Sequence, residues 1–145
     1  MSDILIGGLA GIGVGSILVF LAHVAPRFAA GNFVRDLDAP RLFGYTIYRR
    51  EAHVVGVLFY LILSFAFGAI YAFLVTQGVL GGYTFLPLLV YAAVLTVFMG
   101  GVIMPLEGHG PFGWREDAWF TLDLMLTNLM WVGFYAIVIR LWLPQ

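Results

Sequence analysis

The amino-acid sequence predicts an all-α fold, a bundle of four transmembrane helices that forms a single domain over residues 1–145. The chain is 62% apolar and only 10% charged, whereas soluble domains are about 45–50% apolar and about 25% charged. A small soluble domain has too much surface to bury so many apolar side chains. Four runs of about twenty apolar residues are also present, and each is long enough to cross the hydrocarbon core of a bilayer as a helix.

The first run covers about residues 4–25 and ends at Pro26. A secretory signal peptide would begin with basic residues, but this run is preceded by Asp3, and Pro26 disfavours cleavage after Ala25. We therefore expect the run to be retained as a spanning helix.

The other three spans follow a longer first loop. The second span covers about residues 52–75, the third covers about residues 84–104 and stops at Pro105, and the fourth covers about residues 118–143. In the first loop, residues 26–50 mix aromatic, apolar and charged side chains. This mixture predicts a short interfacial helix within the loop.

The basic residues lie almost entirely at one end of the predicted bundle. The seven are all arginine, with Arg27, Arg35, Arg41, Arg49 and Arg50 between the first two spans, Arg115 between the last two, and Arg140 at the other end. Membrane loops rich in lysine and arginine stay in the cytoplasm. The distribution predicts a single orientation, with both termini outside.

Small residues recur at every fourth position in three of the spans. These stripes are Gly7, Gly11 and Gly15 in the first span, Ser64, Gly68 and Ala72 in the second, and Ala92, Thr96 and Gly100 in the third. Small side chains let helix backbones approach closely in lipid, which predicts a tight bundle or an additional contact between copies. In the fourth span, the amide of Asn128 needs an interhelical hydrogen bond.

The openings of the second and fourth spans are similar in sequence. The second opens with Arg50-Glu51-Ala52-His53 and the fourth with Arg115-Glu116-Asp117-Ala118, and each preceding span ends in proline. The similarity leaves open an arrangement as two parallel helical hairpins.

Potentially reactive side chains are concentrated at the predicted cytoplasmic end. This polar cluster comprises Asp123, His53, His109, Glu107, His23, Glu51, Arg115 and Arg50. Asp123 lies about 9 Å inside the fourth span at 1.5 Å per residue. Because a charged aspartate at a helix centre costs about 3 kcal/mol, we expect Asp123 to face the bundle interior and to pair with Arg50, Arg115, His53 or His109.

Two interpretations of the polar cluster remain open. In the first, the residues cap helices and lock them together. In the second, they form a site for zinc, manganese or iron, for a haem held by His23 and His53, or for proton-coupled or anion transport through Asp123. No helix carries a His-x3-His or Glu-x2-His pair, and the middle of the first three spans has no ionisable residue. We expect no cofactor.

The segment Glu107-Gly108-His109-Gly110-Pro111 also has two interpretations. Its glycines and prolines are typical of a tight turn into the next helix. A glycine-rich turn also lets backbone N–H groups and His109 approach a lipid phosphate beside Arg115.

Three short motifs resemble a group of small four-helix prokaryotic membrane proteins that have no established activity. They are His53-x-x-Gly56, Gly68-x-x-Tyr71-Ala72 and Met104-Pro105-x-x-Gly108-x-Gly110. The resemblance covers most of the chain, although the spacing from Gly56 to Gly68 is longer than in the group and the fourth span, with Trp119 and Asp123, fits least well. The resemblance implies a four-helix architecture. We expect the protein to lie in the plasma (inner) membrane of a prokaryote.

The sequence thus predicts a non-enzymatic protein: an accessory or structural subunit, or a self-assembling bundle. We expect its arginine-rich cytoplasmic face to contact anionic lipid headgroups, and its partners to be the bilayer, copies of itself or a larger membrane complex, with no nucleic acid. The alternative is a metal- or haem-binding protein that uses His23, His53, His109 and Asp123, or a small transporter. Thiol chemistry is excluded because the chain has no cysteine.

Overall fold

The computed structural model describes residues 2–24, 41–42, 44–116 and 119–142. Its helices and strands, in chain order, are α1 (Asp3–Val24), β1 (Arg41–Leu42), β2 (Tyr45–Thr46), α2 (Arg49–Thr76), α3 (Phe85–Glu107) and α4 (Phe120–Trp142). Four helices in this part of the chain are long and apolar enough to cross a membrane. They confirm the predicted set of apolar helices and indicate a membrane protein.

The first loop is described only in part. The predicted interfacial helix falls on residues 25–40, which lie outside the described residues. After them, β1 and β2 form a two-stranded antiparallel ribbon in which Arg41 pairs with Thr46. Gly44 between the strands has a φ of 86°, a left-handed conformation that glycine adopts without steric cost. The chain can therefore reverse direction at this residue.

The third span does not end at Pro105, contrary to the sequence prediction. A π-helical segment at Met99–Ile103 is followed by one more α-helical turn at Met104–Glu107. Proline lacks a backbone N–H but is tolerated in the first turn of a helix, where N–H groups have no intrahelical acceptor. The π-helical segment creates such a first turn, so Pro105 extends α3. The helix ends instead at Gly108, whose φ is 96°.

Helices α1 and α2 pack closely along their small-residue stripes. A Cβ atom added to Gly7 would lie 2.7 Å from the carbonyl oxygen of Gly68, and one added to Gly15 would lie 2.7 Å from Oγ of Ser64. A Cβ atom on Gly11 would collide with the carbonyl oxygen of Ser64. Because the glycines have no side chain, the two backbones gain van der Waals contact that larger residues would prevent.

Hydrogen bonds from tyrosine side chains attach α3 and α4 to α2. The hydroxyl of Tyr91 in α3 donates to the carbonyl oxygen of Phe67 at 2.7 Å. The hydroxyl of Tyr135 in α4 donates to the carbonyl oxygen of Gly68 at 2.8 Å. A carbonyl oxygen has two lone pairs, so it can accept such a bond beside its helical one. Residues 67 and 68 of α2 therefore form a junction for the other helices.

A buried polar contact joins α3 to α4. The amide of Asn128 donates to Oγ1 of Thr96 at 3.2 Å, and the hydroxyl of Thr96 donates to the carbonyl oxygen of Ala92 at 2.8 Å. Both side chains are buried. In lipid, an amide or hydroxyl has no water to bond with, so this short chain of hydrogen bonds stabilises the contact between the two helices.

The bundle has two ends that differ in composition. We call the end that contains the start of α1, residues 77–84 and the last turn of α4 the terminal end. We call the opposite end, where residues 108–119 join α3 to α4, the turn end. A small apolar cluster underlies the turn end, formed by Met99, Ile103, Met104, Phe120 and Leu124. The ribbon of β1 and β2 lies against the last turn of α3 at the same end.

Candidate functional site

The connection from α3 to α4 folds back on itself at the turn end. Gly108 and Gly110 have φ values of 96° and 78°, and these left-handed residues turn His109 inward until it is only 4% exposed. Nδ1 of His109 lies 2.8 Å from Oε1 of Glu116. A carboxylate that accepts a hydrogen bond from Nδ1 fixes the tautomer and orientation of an imidazole. The pair fastens the turn and is also suited to proton transfer.

Phe112 connects this turn to the π-helical segment of α3. Among the described residues, it is the one non-glycine with a positive φ, at 52°, a conformation that costs about 1–2 kcal/mol. Its ring lies above Gly100, where a Cβ atom would be 2.7 Å from Cε1 of Phe112. The hydroxyl of Thr121 donates to the carbonyl oxygen of Phe112 at 3.0 Å. Gly100, predicted as a helix-packing residue, thus receives the ring of the turn.

A second pair, His23 and His53, joins α1 to α2 near the turn end. Nδ1 of His23 lies 2.7 Å from the carbonyl oxygen of Val19, and because a carbonyl can only accept, this nitrogen carries a proton. When both imidazoles are neutral, Nε2 of His23 accepts a hydrogen bond from Nε2 of His53 at 3.0 Å. The rings are edge to face, with centroids 5.1 Å apart. The pair therefore forms a direct interhelical hydrogen bond.

The remaining members of the predicted polar cluster also belong to elements that end or begin at the turn end. Asp123 is half-buried in the first turn of α4, Glu51 is exposed in the first turn of α2, and Glu107 is buried at the end of α3. Arg115 is exposed and follows the turn. Arg50 begins α2, but its side chain lies outside the described residues.

Among the described residues, no set of three or more histidine, aspartate and glutamate side chains is arranged to hold a metal ion. The structure instead brings the predicted residues together in pairs. His109 meets Glu116, and His23 meets His53. The first pair joins two parts of one turn, and the second joins two helices.

An aromatic cluster lies in the terminal half of the bundle and is not predicted by the hydropathy pattern. Its members are all buried: Tyr71, Tyr83, Tyr91, Tyr135 and Trp131. Tyr71 and Tyr91 are 4.8 Å apart between ring centroids, and Trp131 stacks on Tyr135 at 5.1 Å. The indole of Trp131 donates to Oγ of Ser64 at 3.3 Å. Because a buried tyrosine hydroxyl needs a partner, tyrosines within apolar runs are the sequence signal for this cluster.

Tyr83 links the aromatic cluster to charged residues at the terminal end. Burial, and then the nearby Asp3 carboxylate, raise the pKa of the Tyr83 hydroxyl. The carbonyl oxygen of Tyr83 accepts a hydrogen bond from Nη2 of Arg140 at 2.8 Å. The hydroxyl of Tyr71 donates to the adjacent carbonyl of Gly82 at 2.8 Å. Residues 82 and 83 are thereby tied to both α2 and α4.

Comparisons of the chain with protein-family models, with curated proteins and with solved structures find no match. The resemblance to small four-helix prokaryotic membrane proteins stays a prediction from the motifs.

Proposed function

We propose that the chain is a structural or accessory membrane protein that assembles with copies of itself through the exposed face of α3. The observation that carries this proposal is an apolar groove of about 700 Å³ on that face. Val90, Val94 and Val97 line the groove and are each at least half exposed. A second helix placed in the groove would cover these side chains.

The small residues of the groove support a helix from a second copy as its occupant. The small residues Ala93 and Gly101 lie eight positions apart with Val97 midway between them, so the three share one face of α3. A Cβ atom on Gly101 would have no neighbour within 4 Å, which means that bare backbone faces outward there. Small residues favour helix association in lipid because they permit close backbone contact.

The polar side chains support a structural role. Asn128 bonds Thr96 between α3 and α4, His109 bonds Glu116 within the turn, and Tyr135 bonds the backbone of α2. In each case, a polar group joins one part of the chain to another. This use of polar groups is expected of a protein whose helices must hold one arrangement in lipid.

We further propose that the protein lies in the plasma (inner) membrane of a prokaryote, with the turn end in the cytoplasm and both termini outside. By sequence, six of the seven arginines fall in the two segments that join α1 to α2 and α3 to α4, and Arg41 and Arg115 are exposed at the turn end. An arginine near an anionic membrane surface contributes about 1 kcal/mol of attraction. Anionic headgroups of the cytoplasmic leaflet are thus suitable partners for Arg41 and Arg115.

Single-cysteine crosslinking in membranes tests assembly through α3, since the chain has no native cysteine. Val97 on α3 is 63% exposed and Ile62 on α2 is 64% exposed, so these β-branched residues are matched. Under mild oxidation, we expect Val97→Cys to form a disulfide-linked dimer and Ile62→Cys to stay monomeric. Equal dimer yields from both variants, or no dimer from Val97→Cys and Val94→Cys, would contradict the proposal.

A further inference from the structure

A second groove runs between α3 and α4 towards the terminal end. It has a volume of about 320 Å³ and is apolar, with Phe85 and Leu88 on one wall and Leu129 on the other, and Arg140 also lines it. Small-molecule sites in proteins occupy about 300–1,000 Å³. The groove exists because Gly133 has no side chain, and a Cβ atom added there would have no neighbour within 4 Å.

The length of this groove matches one leaflet of a bilayer. Arg140 follows Leu129 by eleven residues on α4, a distance of about 16 Å at 1.5 Å per residue. Half of a hydrocarbon core about 30 Å thick is about 15 Å. If Arg140 lies at the headgroup level, Leu129 lies near the bilayer midplane. An acyl chain that follows the groove would therefore run from headgroup to midplane.

Arg140 supplies a positive charge at the open end of the groove. Its described hydrogen bond, from Nη2 to the carbonyl oxygen of Tyr83, has a neutral acceptor. Within the described ranges, no carboxylate forms an ion pair with Arg140, although Asp3 lies at the same end and acts on Tyr83. A guanidinium has five N–H donors, and a phosphate can accept two of them in a bidentate contact. Arg140 is thus suited to an anionic headgroup.

A shallower depression of about 290 Å³ lies on the opposite side of Gly133, lined by Met130, Phe134 and Ile137. Successive helical residues are about 100° apart around the helix axis. These three residues therefore lie on one side of Gly133, and the groove lined by Leu129 lies on the other side. Two adjoining apolar depressions below one arginine have the form of a site for a lipid with two chains.

We propose that these two depressions and Arg140 bind one anionic diacyl phospholipid, with its phosphate on Arg140 and one acyl chain between α3 and α4. The lipid belongs to the leaflet at the terminal end, so this site is separate from the arginine-rich turn end. The inference requires that the helices cross a bilayer, but it does not depend on assembly through α3. Failure of the crosslinking experiment would therefore leave it unaffected.

Native mass spectrometry of the purified full-length chain tests the headgroup contact, with dioleoyl phosphatidylglycerol and dioleoyl phosphatidylcholine as probes. We expect one phosphatidylglycerol to be retained per chain, with about fivefold preference over phosphatidylcholine, the factor that corresponds to one interfacial arginine. Arg140→Gln should remove the preference and Arg140→Lys should retain it. Equal retention of the two lipids, or an undiminished preference in Arg140→Gln, would overturn the proposal.

The groove itself is tested by filling it. Gly133→Leu places a side chain in open space, so we expect the protein to fold. Because the leucine side chain fills the groove, we expect the variant to lose most of the retained phosphatidylglycerol. Gly13→Leu is the matched control, because a Cβ atom on Gly13 of α1 also has no neighbour within 4 Å. Retention by Gly133→Leu equal to that by Gly13→Leu would overturn the proposal. This comparison holds even if Arg140→Gln fails to fold after it loses the hydrogen bond to Tyr83.

Discussion

Two glycines of α1 illustrate how single residues determine the packing of this bundle. Gly11 and Gly13 are two positions apart on one helix, but a Cβ atom on Gly11 would collide with the backbone of Ser64, whereas one on Gly13 would meet nothing within 4 Å. In a helix, alanine is more favourable than glycine by about 1 kcal/mol. Glycine at position 11 therefore carries a local cost, which the close contact with α2 offsets.

This contrast leads to a matched prediction. Gly11→Ala should lower the free energy of unfolding by about 1–3 kcal/mol, because the added methyl group must separate α1 from α2. Gly13→Ala should leave stability unchanged or raise it by up to about 1 kcal/mol. Unfolding in mixed detergent micelles, followed by tryptophan fluorescence, measures both. Equal effects of the two substitutions would show that the close α1–α2 contact is absent.

The tyrosines show a limit of sequence analysis at the residue scale. Tyr71, Tyr91 and Tyr135 lie within apolar runs, and hydropathy alone assigns them to spanning helices without distinguishing them from their neighbours. Their hydroxyls bond carbonyl groups on other segments of the chain. Which carbonyl each one reaches depends on the relative heights of the helices, and no short-range pattern specifies those heights.

At the scale of whole elements, the sequence predicts where helices lie better than how they end. Each helix boundary is within three residues of the prediction, because apolar runs stop where the chain becomes polar. Helix α3 differs from the prediction in how it ends, because it continues through Pro105 after the π-helical segment. A shift in hydrogen-bond register at Met99–Ile103, two to six residues before Pro105, removes the need for the missing N–H of the proline. The apolar pattern contains no sign of that shift.

The turn after α3 was likewise predictable in type but not in pairing. Its glycines and prolines predict a tight turn. One side-chain contact joins His109 to Glu116, seven positions along the chain. Left-handed conformations at Gly108 and Gly110 fold the following residues back towards His109, and this long-range consequence of two φ angles cannot be read from spacing.

The contact between α3 and α4 can be measured by a double-mutant cycle. Thr96→Val and Asn128→Leu each remove one partner of the same buried hydrogen bond. We expect a coupling energy of about 0.6 kcal/mol, typical of interhelical hydrogen bonds in lipid. Thr76→Val is the control for the threonine change, because the hydroxyl of Thr76 bonds only within α2. Additive effects of Thr96→Val and Asn128→Leu would mean that the two side chains do not interact.

For the molecule as a whole, composition determines the class of protein and the arginines determine the proposed orientation. Four apolar helices were predictable because their hydropathy is far from that of a soluble chain. The sequence predicts contact with copies of the chain and with anionic lipid, but it does not predict where the proposed lateral contact and the proposed lipid site lie, since both depend on grooves between or along helices. Such grooves arise from the three-dimensional positions of Gly101 and Gly133, where open space replaces a side chain.

Labelling of single cysteines in intact cells tests most directly the proposal that the four helices cross a membrane with the turn end in the cytoplasm. Gly78 lies between α2 and α3 and Trp114 lies between α3 and α4, and both are exposed. A membrane-impermeant maleimide should label Gly78→Cys in intact cells and should label Trp114→Cys only after the membrane is permeabilised. Labelling of Trp114→Cys but not Gly78→Cys in intact cells would contradict the orientation, and equal labelling of both would contradict a single membrane-spanning arrangement.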